Sequence, residues 1–313
     1  MTKPEIKNLP ASVRQRLTNI ADARGEPFQR VLVEYGLERL LYRLSHSKHR
    51  DRFVLKGALL FSVWSDAPHR PTMDVDLMSA ASSDVAELVA IFNAVCATPV
   101  QDDGLAFLPG SVRGEEIRET HAYAGVRIRL LAKLDNAHID LQADVGFADV
   151  ITPGPVELDY PTLLEFQPPH LRAYPRETVV AEKLEATVSL GMQNTRMKDF
   201  YDLWALARQF EFDGDTLSNA IRNTFDRRKT ALPTANPVAL PEKFAADASK
   251  QKQWSSFLGK AGLEAPGLPA VGDAIEVFLS APTLAAAQGQ AFHAKWVPSG
   301  PWRMQRGRLL LDV

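Results

Sequence analysis

The sequence predicts a mixed α/β (α+β) protein whose C-terminal part is a helical lobe. Between residues 53 and 147, segments with strand character alternate with segments of helical spacing. After residue 176 the apolar spacing is mainly helical, and a proline-rich stretch near residues 150–175 separates the two patterns. We therefore expect a core with N-terminal helices over residues 1–160 and a mainly helical lobe over residues 161–313.

The individual elements follow from periodicity and from turn chemistry. In the first helix, Val13, Leu17 and Ile20 recur at spacings of four and three. Asp135-Asn136 separates two long strand-like segments and favours a hairpin turn. In the core we predict helices over residues 11–23, 27–45, 58–64 and 85–96, and strands over residues 53–55, 73–78, 125–134 and 137–147. In the lobe we predict helices over residues 176–190, 196–208 and 216–225, a loop at Pro233, Pro237 and Pro241, and helices with irregular stretches over residues 242–313.

Composition excludes several functional classes. The 313-residue chain has 36 Lys+Arg against 38 Asp+Glu, and this net charge of −2 excludes a polycation that coats nucleic acid. Its single cysteine, Cys96, excludes a disulfide scaffold and a cysteine-ligated zinc site. The G-x-S-x-G, P-loop and G-x-G-x-x-G motifs are absent, which argues against a hydrolase, a Walker ATPase and a Rossmann enzyme. Because the sequence lacks both a stretch of about 18 apolar residues and an N-terminal signal core, we expect a cytoplasmic protein.

The sharpest chemical signal is the pair Asp74 and Asp76 in a predicted strand. Because side chains alternate along a strand, both carboxylates point to the same face, about 7 Å apart along the backbone. Such a pair can bind Mg²⁺, which commonly bridges carboxylates to nucleotide phosphates, and two ions can assist phosphoryl or nucleotidyl transfer. The alternative is a solvated strand face without a metal.

Two neighbouring segments support the metal interpretation. At Lys56-Gly57 a strand turns into a helix, and a glycine there would let a phosphate approach backbone N–H groups; the alternative is an ordinary turn. A third carboxylate would come from the strand 137–147, where Asp140 and Asp144 share one face. We prefer Asp144 over Asp140 as the catalytic base or third metal ligand, because Asp144 lies nearer the apolar end of the strand.

The predicted lobe contains a further charged group. Lys183 lies beside the apolar stripe of its helix, where it could cradle a triphosphate as a point charge or be an ordinary surface lysine. In the next helix, Arg196 shares a face with Asp199, and Lys198 shares another with Asp202, which an intrahelical salt-bridge ladder also explains.

Two basic clusters could contact an RNA backbone, although solvated faces are the commoner outcome of such clusters. They comprise Arg222, Arg227, Arg228 and Lys229, and Arg303, Arg306 and Arg308. We interpret Phe200 and Trp204 as core residues rather than as platforms for base stacking.

Taken together, four segments resemble the AbiEii/AbiGii toxin family of nucleotidyltransferases, which is related to the MenT toxins. Phe53–Leu60 resembles the family's strand–Gly–helix opening. Arg70–Leu77 resembles its R-x-T-x-D-[IV]-D-L segment, Ala181–Leu184 its lysine helix, and Arg196–Leu203 its R-x-K-D-x-x-D-L segment. The resemblance covers roughly residues 50–210.

This resemblance implies a DNA-polymerase-β-like nucleotidyltransferase core followed by a helical lobe that completes the active-site cleft. It implies that Asp74 and Asp76 bind Mg²⁺, with two ions possible, and that Lys183 contacts the nucleotide. Asp199 or Asp202 would complete the site. The other nucleotide contacts that we expect from the matching segments are Lys56, Gly57, Arg70, Thr72, Arg196 and Lys198.

The resemblance also implies an activity. Related toxins transfer a nucleoside monophosphate from a nucleoside triphosphate to the 3′ end of tRNA, and a cognate antitoxin protein opposes them. We therefore expect a metal-dependent transferase that acts on an RNA acceptor, with tRNA as the preferred one. The alternatives are nucleotidylation of a protein or a small molecule, and a non-catalytic module that binds a nucleotide or a partner.

Overall fold

The computed structural model of the chain describes residues 8–65, 70–80, 83–120, 123–147, 149–234 and 242–304. The chain divides into two compact units. The first comprises Met1–Asp149 and Pro155–Tyr174, and the second comprises Val150–Gly154 and Pro175–Val313. The expected division at residue 160 falls inside Pro155–Tyr174, which belongs to the first unit and carries its last two strands.

The described part of the first unit has four α-helices, at the predicted places. Asn8 caps the first helix by accepting a hydrogen bond from the N–H of Ala11, and Gly25 ends it in the left-handed conformation. Asp84 caps the fourth helix through the N–H of Glu87 (2.7 Å). The helices are α1 (Leu9–Arg24), α2 (Phe28–His46), α3 (Phe61–Trp64) and α4 (Val85–Cys96). A 3₁₀ turn, Ala58–Leu60, occupies the first half of the helix predicted over residues 58–64.

Eight strands among the described residues form one mixed sheet. They are β1 (Phe53–Lys56), β2 (Val75–Ser79), β3 (Leu105–Phe107), β4 (Arg113–Thr120), β5 (Tyr123–Leu134), β6 (Ala137–Phe147), β7 (Val156–Asp159) and β8 (His170–Ala173). Their order is β3-β5-β6-β2-β1-β8-β7, and β4 also pairs with β5. Strand β2 lies between β6, to which it is parallel, and β1, to which it is antiparallel. The four predicted strands and the mixed α/β class are confirmed; β3, β4, β7 and β8 were not predicted.

Helix α2 covers one face of this sheet. Gly36 of α2 lies so close to β6 that a Cβ at this glycine would come within 2.8 Å of Cδ2 of Leu141. The side chains of β6 that share the face of Leu141 are buried apolar residues: Ile139, Ala143 and Val145. The even-numbered residues of β6 therefore face away from α2, and the candidate site lies on that opposite face.

The second unit is mainly helical, as predicted. Its described helices are α5 (Arg176–Leu190), α6 (Met197–Gln209), α7 (Gly214–Arg228), α8 (Glu242–Ala246), α9 (Ala248–Ala261) and α10 (Leu268–Gln288). A three-stranded sheet that was not predicted joins β9 (Phe212–Asp213), β10 (Ala294–Trp296) and β11 (Trp302–Met304) in the order β11-β10-β9. The ring of Phe278 in α10 packs against Trp296 of this sheet, with 4.8 Å between the centroids. Pro237, Pro241, Arg306 and Arg308 lie outside the described residues.

Helix α10 is the one described helix that is long and apolar enough, by length and composition, to cross a membrane. Half of its most apolar window is buried inside the protein, and the helix contacts α6 and α7. Phe278 and Leu279 of this helix are fully buried. We therefore interpret α10 as the core helix of the second unit.

Candidate active site

Asp76, the second residue of the acidic pair, lies in a row of charged residues that crosses four neighbouring strands. Asp76 is the register partner of Asp144 on β6 and of Lys56 on β1. Asp144 is in turn the register partner of Arg127 on β5. Register partners on adjacent strands point to the same face of a sheet. The row therefore reads Arg127, Asp144, Asp76 and Lys56 on the face opposite α2.

Asp74 directly precedes β2, two residues from Asp76, and strand alternation places both on this face. The hydroxyl of Thr72 donates a hydrogen bond of 2.6 Å to Oδ1 of Asp74. Thr72 and Arg70 are both half-buried. The predicted segment Arg70–Leu77 thus reaches the sheet at its charged face, with Thr72 orienting the first of the two carboxylates.

A bidentate ion pair joins Arg127 to Asp144. Arg127 donates from Nε to Oδ1 of Asp144 at 2.9 Å and from Nη2 to Oδ2 at 2.8 Å. The hydrogen bonds to Asp144 raise the pKa of Arg127 above its usual value, and the charge of Asp74 acts in the same direction. Both carboxylate oxygens of Asp144 therefore already have a cationic partner, and Asp144 is buried.

Gly57 allows the carboxylate of Asp76 to lie against the backbone. Its φ of 76° with ψ of −155° is a conformation that glycine adopts readily and other residues avoid. A Cβ at residue 57 would overlap Oδ2 of Asp76 and lie 2.7 Å from its Cγ. The glycine predicted to admit a phosphate is thus in direct contact with one of the two predicted metal ligands.

Lys56, which precedes Gly57 at the predicted turn, is a buried cation. Its Nζ lies 3.2 Å from Oδ2 of Asp149, and it lies 5.8 Å from the ring centre of Tyr174. The side chain of Lys56 is only 9% exposed and that of Asp149 only 10%. Lys56 therefore balances the charge of Asp149 at the end of the row.

The structure separates the two candidates for the third carboxylate. Asp144 lies directly beside Asp76 in register, whereas Asp140 is the register partner of Leu131 and is exposed. Four residues along a strand correspond to about 13 Å. Of the two, only Asp144 is a neighbour of Asp76.

The donor set at Asp74 and Asp76 fits a hard divalent cation. Mg²⁺ is usually held by one or two carboxylates and takes its other ligands from water and substrate phosphates. Within the described residues, no group of three or more His, Cys, Asp or Glu side chains is arranged to hold a metal. Asp74 and Asp76 are two such carboxylates, and Arg127 donates to both oxygens of the neighbouring Asp144.

A second charged cluster lies in the second unit, between α5 and α6. Nζ of Lys183 lies 2.7 Å from Oδ1 of Asp199 and 2.7 Å from Oδ2 of Asp202. Nε of Arg196 lies 2.7 Å from the other oxygen of Asp199. Burial alone would raise the pKa of Asp199, but Lys183 and Arg196 outweigh burial and hold this pKa below its usual value. Lys198 is exposed on the outer side of α6.

The other predicted residues of the second unit have mainly structural contacts. Phe200 is buried and packs against Phe244, with 5.3 Å between ring centroids. Trp204 is half-buried, and the guanidinium of Arg208 lies 4.8 Å from its ring centre. In the basic cluster of α7, Arg228 forms ion pairs with Glu182 and Glu185 of α5.

Arg127 and Asp149 were missed by the sequence analysis, although a signal for Arg127 exists. The turn Asp135-Asn136 makes Leu134 and Ala137 partners, so paired residues of this hairpin have numbers that add to 271. That sum pairs Arg127 with Asp144. Once the hairpin was predicted, its register identified the partner of the preferred third carboxylate. No comparable local signal exists for Asp149.

Comparison with known proteins gives one family and two solved structures. The sequence model of a family described as "Nucleotidyl transferase AbiEii toxin, Type IV TA system" matches residues 39–277, more than half of the chain. JHP933 from Helicobacter pylori is 15% identical, with a TM-score of 0.45 over 83% of this chain and 93% of its own. A proposed nucleotidyltransferase from H. pylori is also 15% identical, with a TM-score of 0.45 over 84% of this chain and 99% of its own. A search among curated proteins found no match.

Proposed function

Because the chain belongs to the AbiEii family of nucleotidyltransferase toxins, we propose that it transfers a nucleoside monophosphate from a nucleoside triphosphate to an RNA acceptor, the 3′ end of tRNA. The enzyme class follows from the family, and the metal, the donor and the acceptor are our proposal. The observation that carries it is the pair Asp74 and Asp76 on the charged face of the sheet, with Gly57 packed against Asp76.

In this proposal Asp74 and Asp76 would hold one or two Mg²⁺ ions. A bound divalent cation supplies positive charge for the phosphates and favours ionisation of a hydroxyl that it contacts. Thr72 orients Asp74 through its hydroxyl, and Gly57 leaves the space that the carboxylate of Asp76 occupies. Asp144 supports the site from β6 as the partner of Arg127.

For this transfer the protein mainly has to position the reactants and to stabilise the charge on the phosphates. The acceptor hydroxyl oxygen attacks the α-phosphorus, the bond to pyrophosphate breaks, and the hydroxyl proton leaves to solvent or to a nearby base. Lys183 is the proposed nucleotide contact, and its ammonium is fixed by Asp199 and Asp202. Such a pre-positioned cation stabilises developing phosphate charge without reorganising. The further proposed contacts are Lys56, Gly57, Arg70, Thr72, Arg196 and Lys198.

Membership of this toxin family implies an antitoxin partner. We propose that the enzyme acts in the cytoplasm, because its proposed substrates, nucleotides and tRNA, are found there. The antitoxin is expected to be a separate protein that relieves the growth arrest caused by the enzyme.

Labelled nucleotides test the acceptor. The full chain is incubated with each α-³²P-labelled nucleoside triphosphate and Mg²⁺, together with tRNA, with periodate-oxidised tRNA or with total protein. We expect label in intact tRNA and none in oxidised tRNA, because oxidation destroys the 3′-terminal diol. Label that enters protein, or that enters oxidised tRNA equally well, would contradict the proposed acceptor and favour one of the alternatives.

A further inference from the structure

The ion pair between Arg127 and Asp144 lies directly beside the proposed cation site, and Arg127 has no role in the proposed reaction so far. We propose that Arg127 withholds Asp144 from the cation at Asp74 and Asp76, so that the cation binds firmly only together with the phosphates of the nucleotide. The inference rests on the proposed metal role of Asp74 and Asp76. Arg127 is in this view a positioning residue.

The register of the strands places Asp144 where both Arg127 and a cation at Asp76 can bind it. Asp144 is the register partner of both Asp76 and Arg127, so it lies between them on one face of the sheet. Adjacent strands are about 4.8 Å apart, which brings the carboxylates of Asp76 and Asp144 within reach of one ion. Arg127 nevertheless takes both oxygens of Asp144, and Gln142 lies 3.4 Å from one of them.

The charges of these side chains determine how tightly the site binds a divalent cation. The carboxylates of Asp74, Asp76 and Asp144 would carry three negative charges, and Arg127 reduces their sum to two. On the other side of Asp76, Lys56 forms an ion pair with Asp149. The affinity of a hard cation for an oxygen site depends on the number and charge of its ligands. A site with two carboxylates beside a guanidinium therefore needs the charge of nucleotide phosphates to hold the ion firmly.

Binding of Mn²⁺ to the full chain without nucleotide tests this inference. Free Mn²⁺ is counted by its electron paramagnetic resonance signal, and water bound to the ion is counted by solvent relaxation. We expect Arg127→Met to tighten Mn²⁺ binding by about tenfold and to remove at least one bound water, because Asp144 then becomes a ligand. The double variant Arg127→Met with Asp144→Asn should return to the wild-type affinity.

Arg129→Met is the matched control. Arg129 lies two residues along β5 on the same face, but it is 59% exposed and pairs with Glu115 at the surface. Its loss should leave Mn²⁺ affinity unchanged. Arg127→Lys keeps the charge but cannot donate to both oxygens of Asp144 at once, so a smaller tightening is expected, and this variant serves if the methionine variant does not fold.

The outcomes separate the two proposals. If the wild type binds Mn²⁺ and the Arg127 variants bind it no more tightly, or more tightly with the same number of bound waters, the role of Arg127 is contradicted while the metal site stands. If no variant binds Mn²⁺, with or without a non-hydrolysable triphosphate, the proposed metal role fails and this inference fails with it.

Discussion

At the scale of single residues, the site depends on contacts that only particular side chains allow. Gly57 satisfies two constraints, because its φ of 76° excludes most residues and its missing side chain makes room for Asp76. Alternation along a strand was enough to predict that Asp74 and Asp76 share a face. Alternation was not enough to find Arg127, which requires the register between two strands and hence the number of residues in the hairpin turn.

Replacement of Gly57 tests the packing of Asp76. We expect Gly57→Ala to destabilise the protein by about 2–3 kcal/mol and to abolish nucleotide transfer, because the new methyl group displaces the carboxylate. The control is Gly110→Ala, since Gly110 has a φ of 69° but no atom within 4 Å of the added Cβ. That change should cost about 1 kcal/mol of backbone strain and leave transfer intact. Urea denaturation measures both losses of stability. Equal effects of the two changes on nucleotide transfer would contradict the contact between Gly57 and Asp76.

At the scale of elements, the second charged cluster holds two helices together. Lys183 of α5 lies between Asp199 and Asp202 of α6, and the exposures of the three side chains are only 12%, 1% and 0%. Helical spacing places these residues on the correct helices and predicts that Arg196 and Asp199 share a face. The same spacing pairs Asp202 with Lys198 within α6 and not with Lys183 of α5, because pairing between helices cannot be deduced from spacing along one of them.

Removal of Lys183 tests how much this cluster contributes to stability. We expect Lys183→Met to lower the free energy of unfolding by about 3–5 kcal/mol, because it leaves two buried carboxylates without their shared cation. Lys198→Met, on the exposed side of α6, should change stability by less than about 0.5 kcal/mol. Urea denaturation of both variants gives the comparison. Wild-type stability of Lys183→Met would show that Lys183 is not part of the fold and would leave it only the proposed nucleotide role.

Most of the elements that the sequence predicts have a long, strong pattern, and the short strands β1 and β2 are the exceptions. Helices α1, α2, α4, α5, α6 and α7 and the hairpin of β5 and β6 have periodic apolar residues and recognisable ends. Strand β4, Arg113–Thr120, carries five charged residues in eight positions and shows no apolar alternation. Strands β3, β7 and β8 have three or four residues each, and such short segments form strands only because partners in the sheet complete their hydrogen bonds.

At the scale of the whole molecule, the family match shows that the chain belongs to the AbiEii nucleotidyltransferase toxins. The family resemblance predicted from four short segments is confirmed by the match over residues 39–277. The match includes α8 and α9 and part of α10, which the four segments did not reach.

Expression in a bacterium tests the toxin activity that this assignment carries. We expect induction of the wild-type chain to arrest growth, and we expect Asp76→Asn to permit growth at equal protein levels, because the amide cannot serve as an anionic metal ligand. Protein levels are compared by immunoblot, and growth is followed by turbidity. Equal growth arrest by both chains would separate toxicity from the proposed site.

The most direct test of the central claim measures transfer of label from an α-³²P-labelled nucleoside triphosphate by purified wild-type, Asp76→Asn and Asp140→Asn proteins. Asp140 is the matched control, because it is an exposed aspartate of the neighbouring strand β6, four residues from Asp144. We expect Asp76→Asn to reduce the transfer rate by at least about a hundredfold, and we expect Asp140→Asn to retain the wild-type rate. Undiminished transfer by a folded Asp76→Asn protein would contradict the assignment of this acidic pair as the site of nucleotidyl transfer.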